Sequence, residues 1–307
     1  MVRTVVAGLD GSHESRAAAE WAAREATLRG LPLKIVHVWE PMPEFLAQAH
    51  LLGTETEAHW RERIPREVTD GIRLRHPGLA VTMEQIPGRA GEVLPEAAED
   101  ADVLVLGSRA LSGVGGFLVG SVGHAVVAHT EVPVVLVRAG EQADDEHERD
   151  PVGHPSAATR FRSVVAGIDI KDSADSADSA DAVLAFAFEE ADRRAADLEV
   201  VHSWSPPPYS VYALAADPER RDGTARQQAA RLTDVLSPWR RKFPAVEVIA
   251  HFRVGSAADH LGAAALRASL VVVGRRIRRH ALGTHIGPVT HAVLHHAPVP
   301  VAVVAHD

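Results

Sequence analysis

Two stretches of the chain place glycines and small or basic residues between an apolar run and a helix-like run: GSRALSGVGGFLVGS (Gly107–Ser121) and GRRIRRHALGTHIGP (Gly274–Pro288). That context suits an anion. A helix start carries backbone N–H groups with no intrahelical partner and a partial positive charge, and glycine lets the backbone come close. The first stretch contains no lysine, so it is not a phosphate loop of the GxxxxGK[ST] kind. Its donors would be backbone N–H groups, with the Ser121 hydroxyl and the Arg109 guanidinium adding to them. The second stretch holds Arg275, Arg276, Arg278 and Arg279, which either bind phosphate through their side chains or form a solvated basic loop. It ends in Pro288, which has neither a hydroxyl nor a backbone N–H to offer but suits the first position of a helix.

The elements around these stretches repeat. TVVAGLD at Thr4 returns as SVVAGID at Ser163, VHVW at Val36 as VHSW at Val201, and HAVVAHTEVPVVLV at His124 as HAVLHHAPVPVAVV at His291. The matches keep their order, which marks a tandem duplication. Two extra Asp-Ser-Ala triplets in DSADSADSAD (Asp172–Asp181) lengthen the second copy and predict a longer, acidic start to its first helix. The expected domains are 1–139 and 161–307. Between them, residues 140–160 are polar and lack apolar periodicity, as an exposed linker would.

Each copy predicts the order β-α-β-α-β-α-β-α-β. TVVAGL, LKIVHVW, LAVTMEQI, DVLVLG and PVVLV are short apolar runs suited to strands buried on both faces. SRAAAEWAAREATLRG and a polar segment from Glu55 to Arg75 have helical spacing. Gly30 suits a helix C-cap. GEVLPEAAED predicts a short helix with Pro95 early enough in it to be tolerated. Another helix begins near Gly120 or Ser121. Alternating strands and helices imply a mainly parallel sheet with helices on both faces, and ligands of such sheets sit beyond the C-terminal strand ends where the strand order reverses. With the first and fourth strands as neighbours, Asp10 and Gly107 line one crevice.

Composition narrows the function classes. The 307 residues carry a net charge of −9, which argues against a broad nucleic-acid surface, and no apolar run approaches the ~20 residues of a membrane span. The absence of cysteine removes disulfides, thiolate metal sites and cysteine nucleophiles. With no signal-peptide pattern at the N-terminus, a cytoplasmic protein is expected. The eighteen histidines, densest at His295–His296 and His280–His285, form no HExxH pattern and are expected to be surface or capping residues, with no metal site. No G-x-S-x-G elbow follows a strand, against a serine hydrolase.

Together, VVAGLDGS, VHVW, PVVLV and the spaced residues Gly107, Ala110, Gly120 and Ser121 resemble the universal stress protein family in its tandem-domain form. Nucleotide-binding members carry G-x2-G-x9-G-[ST] after the fourth strand, and the first copy matches that pattern except at Ala110. The resemblance implies two tandem doubly wound, five-stranded, Rossmann-like sheets of the adenine nucleotide alpha hydrolase type. It also implies ATP, with Mg2+, in the crevice of the first copy. Gly8 and Asp10 would lie beside the ribose and Val38 beside adenine. Gly107, Ser108, Arg109, Ala110 and Gly113 would wrap the phosphates, and Gly120, Ser121 and Val122 would hold the terminal phosphates. If position 110 requires φ > 0, alanine strains it by roughly 1–2 kcal/mol; if it requires only a small side chain, alanine serves.

The counterparts in the second copy are Gly167, Asp169, Gly274, Arg275, Arg276 and Gly287, with Ile277 and Pro288 replacing two signature residues, so a degenerate or altered site is expected there. The resemblance further implies a nucleotide-dependent stress regulator or sensor. It is expected to be a binder rather than an ATPase, because no general base is placed. A nucleotide-independent scaffold of the same fold is the alternative. The apolar last strands need covering, and the resemblance implies that they pair domain to domain, so pairing of the two halves within the chain and a homodimer are expected.

Overall fold

The computed structural model describes residues 3–40, 54–110, 117–118, 120–170, 175–205, 218–277 and 286–307, with backbone alone at 54–61, 109–110, 117–118, 175–179, 218 and 220–221. The chain divides into two compact units, Met1–Gln142 and Ala143–Asp307.

In the first unit the order is β1 (Thr4–Leu9), α1 (His13–Arg29), β2 (Leu33–Trp39), α2 (Thr54–Arg75), β3 (Val81–Pro87), α3 (Ala90–Ala97), β4 (Ala101–Ala110), β5 (Phe117–Leu118), α4 (Ser121–His129) and β6 (Val134–Arg138). The strands β3, β2, β1, β4 and β6 lie side by side in that order, all parallel. Chain order therefore runs outward from β1 in one direction and from β4 in the other, and the reversal falls between these two neighbours. Val5, Val6, Ala7, Val103, Leu104 and Val105 are buried to 1 % exposure or less, as residues covered on both sheet faces should be. Helix α1 packs on β1, β4 and β6, whereas α3 and α4 pack on each other, so the sheet is covered on both sides.

Local chemistry sets the helix ends. Ser12 caps α1 by accepting from the Ser15 N–H at 3.1 Å, and Gly30 closes it at φ 63°, a left-handed conformation that costs glycine little. Pro95 occupies the sixth position of α3 rather than its first turn, because the helix begins at Ala90. The helix ends two residues later, so the proline interrupts little. Inside the unit, Arg29 pairs with Glu25 at 2.5 Å and with Asp102, and both Glu25 and Arg29 are almost wholly buried.

The second unit repeats the plan with β7 (Ser163–Ile168), α5 (Asp175–Arg194), β8 (Leu198–Trp204), α6 (Pro218–Lys242), β9 (Val248–Val254), α7 (Ala257–Ala265), β10 (Ala268–Arg276), α8 (Pro288–His296) and β11 (Val301–His306). Its strands lie in the order β9, β8, β7, β10, β11, again all parallel. Helix α5 is longer than α1, 20 residues against 17, as the Asp-Ser-Ala triplets predict. The buried pair recurs as Glu190 with Arg194.

The segment expected as an exposed linker is mostly exposed and carries local structure of its own. Ala143–Glu146 forms a 3-10 turn, His147 bridges Phe161, and Asp150 accepts from the backbone of Val152 and His154. These residues cluster with the second unit. Their hydrogen bonds are made by backbone groups and polar side chains, which is why apolar periodicity gives no sign of them.

Candidate functional site

A cleft with a cavity volume of about 120 Å³ opens beyond the C-terminal ends of β1 and β4 in the first unit. It has three chemically distinct walls. Val36, Val38, Leu94 and Leu106 provide an apolar slot. Asp10, Ser12, Glu14 and Ser15, from the β1–α1 turn, provide a polar and acidic side. Gly120, Ser121, Val122 and Gly123, at the start of α4, provide the third.

The turn after β1 is made rigid by its own side chains. Asp10 Oδ1 accepts from the Ser12 N–H at 2.9 Å and from the Ser12 hydroxyl at 2.5 Å. Gly11 between them has φ 87°, which a side chain would oppose. Ser12 thus orients the carboxylate and caps α1, and the α1 start is satisfied from within. The α4 start differs: its N-cap is Gly120, with no side-chain cap hydrogen bond. The first N–H groups of a helix have no intrahelical partner, so this end of the cleft presents donors and the positive end of a helix dipole.

The two glycines at the cleft floor serve the protein's own packing. A Cβ on Gly107 would lie 2.6 Å from the Glu14 carbonyl carbon and 2.7 Å from the Ser15 nitrogen. Glycine is required there because α1 starts against β4. A Cβ on Gly8 would meet the Leu106 side chain at 2.5 Å. Neither glycine has positive φ.

Of the residues expected at the nucleotide, Gly8, Asp10, Val38, Gly107, Gly120, Ser121 and Val122 line this one cleft. Val38 lies past the end of β1, whose last paired residue, Leu9, stands opposite His37. Ser108 is buried and donates its hydroxyl to the Val137 carbonyl at 3.2 Å. Arg109 and Ala110 belong to β4 and pair antiparallel with Leu118 and Phe117. Ala110 is therefore extended, and the strain expected of alanine at a positive-φ position does not arise. Gly113 lies outside the described residues. Ser12, Glu14, Ser15 and Gly123 also line the cleft and were not anticipated; the DGSHES run, with its Asp-x-Ser turn, is the signal that could have found the first three.

The second unit changes the same floor. Gly167 and Gly274 hold the places of Gly8 and Gly107, with Leu261 and His306 respectively standing where a Cβ would go. Gly287 caps α8 without a side-chain hydrogen bond, as Gly120 caps α4, but Pro288 takes the first helical position and removes its N–H. Thr290 stands where the first unit has Gly123, and its hydroxyl donates to the Gly274 carbonyl at 2.7 Å. Arg275 is 4 % exposed, within β10, rather than part of a solvated basic loop; Arg276 is exposed at the end of the strand. Asp169 is exposed after β7. Arg278 and Arg279 lie outside the described residues. Among the described residues there is no group of three or more histidine, aspartate or glutamate side chains arranged to hold a metal, and no helix is long and apolar enough to cross a membrane.

Comparison with known proteins agrees with this plan. A universal stress protein of Mycobacterium tuberculosis is 32 % identical over 97 % of this chain and 96 % of its own length. One from Mycolicibacterium smegmatis is 30 % identical over 98 % and 96 %. The crystal structure of a universal stress protein from Archaeoglobus fulgidus shares the fold, with a TM-score of 0.67 at 16 % identity over 98 % of both chains. The sequence profile of the Universal stress protein family matches residues 1–138 and again 160–305. The chain belongs to the universal stress protein family, with the family's domain present twice in tandem.

Proposed function

We propose that the first unit binds ATP in the cleft between β1 and β4, and that the protein acts as a nucleotide-dependent regulator or sensor in a stress response. One observation carries the reading: an apolar slot, an oriented carboxylate and an uncapped helix start converge on one cleft. The slot suits a purine. Asp10 and Glu14 suit ribose hydroxyls and would repel phosphate, so the phosphates run toward Gly120, Ser121 and Val122. The residues there fit an anion held by backbone donors, with Mg2+ accompanying the phosphates. Among the described residues, the carboxylates of the cleft, Asp10 and Glu14, belong to the β1–α1 turn and not to the α4 start where the phosphates would end, which favours retention of the nucleotide over hydrolysis.

The second unit supports a different role. Loss of the Pro288 N–H and occupation of the floor by Thr290 both disfavour phosphate, so this unit serves as a scaffold. Association of two chains belongs to the same proposal and is read by light scattering.

The experiment is calorimetry with ATP and Mg2+ on the whole chain, repeated with Gly120→Asp and with Gly287→Asp. Binding by the wild type, lost with Gly120→Asp and kept with Gly287→Asp, supports the assignment. Absence of heat and of any thermal shift at millimolar ATP overturns nucleotide binding. Loss with Gly287→Asp alone moves the site to the second unit.

A further inference from the structure

Helix α8 carries His291 and His295 one turn apart, and their Nε2 atoms face each other at 3.2 Å. The rings lie with centroids 4.2 Å apart and planes at 43°. Both side chains stand on the exposed side of the helix. Residues four apart share a helix face, so the pairing follows from the sequence HAVLHH once α8 is formed.

We propose that this pair is a two-imidazole site for a divalent transition-metal ion such as Zn2+, Cu2+ or Ni2+. The separation of the two nitrogens is the main argument. Metal–imidazole bonds are about 2.0–2.1 Å. One ion bound to both nitrogens then holds them about 2.9 Å apart at a right angle and about 3.3 Å apart at the tetrahedral angle. The observed 3.2 Å falls between these limits. Two imidazoles facing through the same nitrogen can otherwise meet only if one carries a proton there, whereas an ion satisfies both lone pairs at once. Imidazole selects borderline ions over Mg2+ and Ca2+, which take oxygen ligands. With two protein ligands, water fills the other positions, so the ion exchanges readily.

The first unit supplies an internal comparison. Its last helix, α4, keeps His124 at the place of His291 but has Ala128 where α8 has His295. The pair is thus confined to the second unit, the one whose nucleotide floor has been filled. His296 follows His295 in sequence but points about 100° round the helix and takes no part.

The test is titration of untagged, nucleotide-free full-length protein with Zn2+ alone by calorimetry at neutral pH. It is repeated with His291→Gln, His295→Gln and His296→Gln. Cu2+ spectroscopy on the same four proteins counts imidazole ligands directly. The expected result is that the first two variants each lose one equivalent of saturable binding or weaken it at least tenfold, while His296→Gln binds as the wild type. All three positions lie on the helix surface, so equal melting curves without metal confirm that folding is intact. Wild-type binding by His291→Gln or His295→Gln overturns the proposal, as does absence of saturable binding at millimolar Zn2+. In that case the two rings are joined by an ordinary hydrogen bond.

Discussion

The Thr290 hydroxyl donates to the Gly274 carbonyl at 2.7 Å, whereas Gly123 at the matching place in the first unit has no side chain and leaves its cleft open. This hydroxyl is one of the differences between the two copies at the start of the last helix, beside the proline at 288. Replacing it by Thr290→Val keeps the shape and removes the donor. Stability should fall by about 1 kcal/mol, the net value of a partly buried hydrogen bond. Denaturant melts should show the loss, and ATP binding measured on the same protein should be unchanged.

Gly107→Ala should cost more than Gly8→Ala. The added methyl at 107 meets the backbone of Glu14 and Ser15 at 2.6 and 2.7 Å, and backbone at a helix start cannot move aside. A cost of about 1–3 kcal/mol is expected, with loss of ATP binding as α1 shifts away from β4. At position 8 the closest atom is the end of the Leu106 side chain, which can rotate, and the next contacts are at 3.4 Å. Equal melting temperatures for the two variants would contradict this account.

Removing the Ser12 hydroxyl should affect fold and site together. Ser12→Ala deletes the α1 cap and one of the two donors that orient Asp10, for a stability loss of about 1 kcal/mol. ATP affinity should fall as well. Ser12→Thr keeps the hydroxyl and should restore both, as read by thermal melting and calorimetry in parallel.

Arg29→Met should be severe. Glu25 at 1 % side-chain exposure would be left without its closest cation, and Asp102 would lose the same partner. Breaking a buried pair from one side costs about 3–5 kcal/mol. A change below 1 kcal/mol in a urea melt would show that water reaches these carboxylates.

Arg138 runs the other way. Burial pulls its guanidinium down to about 10, and the nearby charge of Glu141 offsets only part of that. The fold therefore disfavours the protonated form: the penalty is fully present below pH 10 and is relieved as pH rises from about 10 toward the ordinary arginine range. Arg138→Met should be neutral or stabilising by about 1 kcal/mol at pH 7–9, with the advantage shrinking above pH 10. Thermal melts across that range would check both the sign and the window.

The strands and most helices were legible because their residues advertise them. Runs such as TVVAGL and DVLVLG are continuous and β-branched, and SRAAAEWAAREA has helical spacing and a C-cap glycine. The extension of β4 through Arg109 and Ala110 was not legible. Those residues have no strand pattern of their own, and pairing with Phe117 and Leu118 places them in the ladder. Thr290 was missed for a related reason. In sequence it is an ordinary first-turn residue, and only the approach of α8 to β10 brings it to a carbonyl sixteen residues away. The cleft was legible at Asp10, Gly120 and Ser121 because helix starts announce themselves by residue type. The density of histidine at His295–His296 was legible, but the pairing of His295 with His291 one turn earlier was not.

The missing side chains at positions 8 and 107 make room for a leucine and a helix start, and their counterparts 167 and 274 make room for a leucine and a histidine. Glycine at 107 is thus demanded by the backbone of α1 whether or not anything binds, and at the other three places it spares a neighbouring side chain from moving. In comparing relatives, its retention is a poor witness to ligand binding, and a copy that has abandoned its ligand should still keep it. The informative positions are those at the start of the last helix, where the first copy reads Gly-Ser-Val-Gly and the second Gly-Pro-Val-Thr.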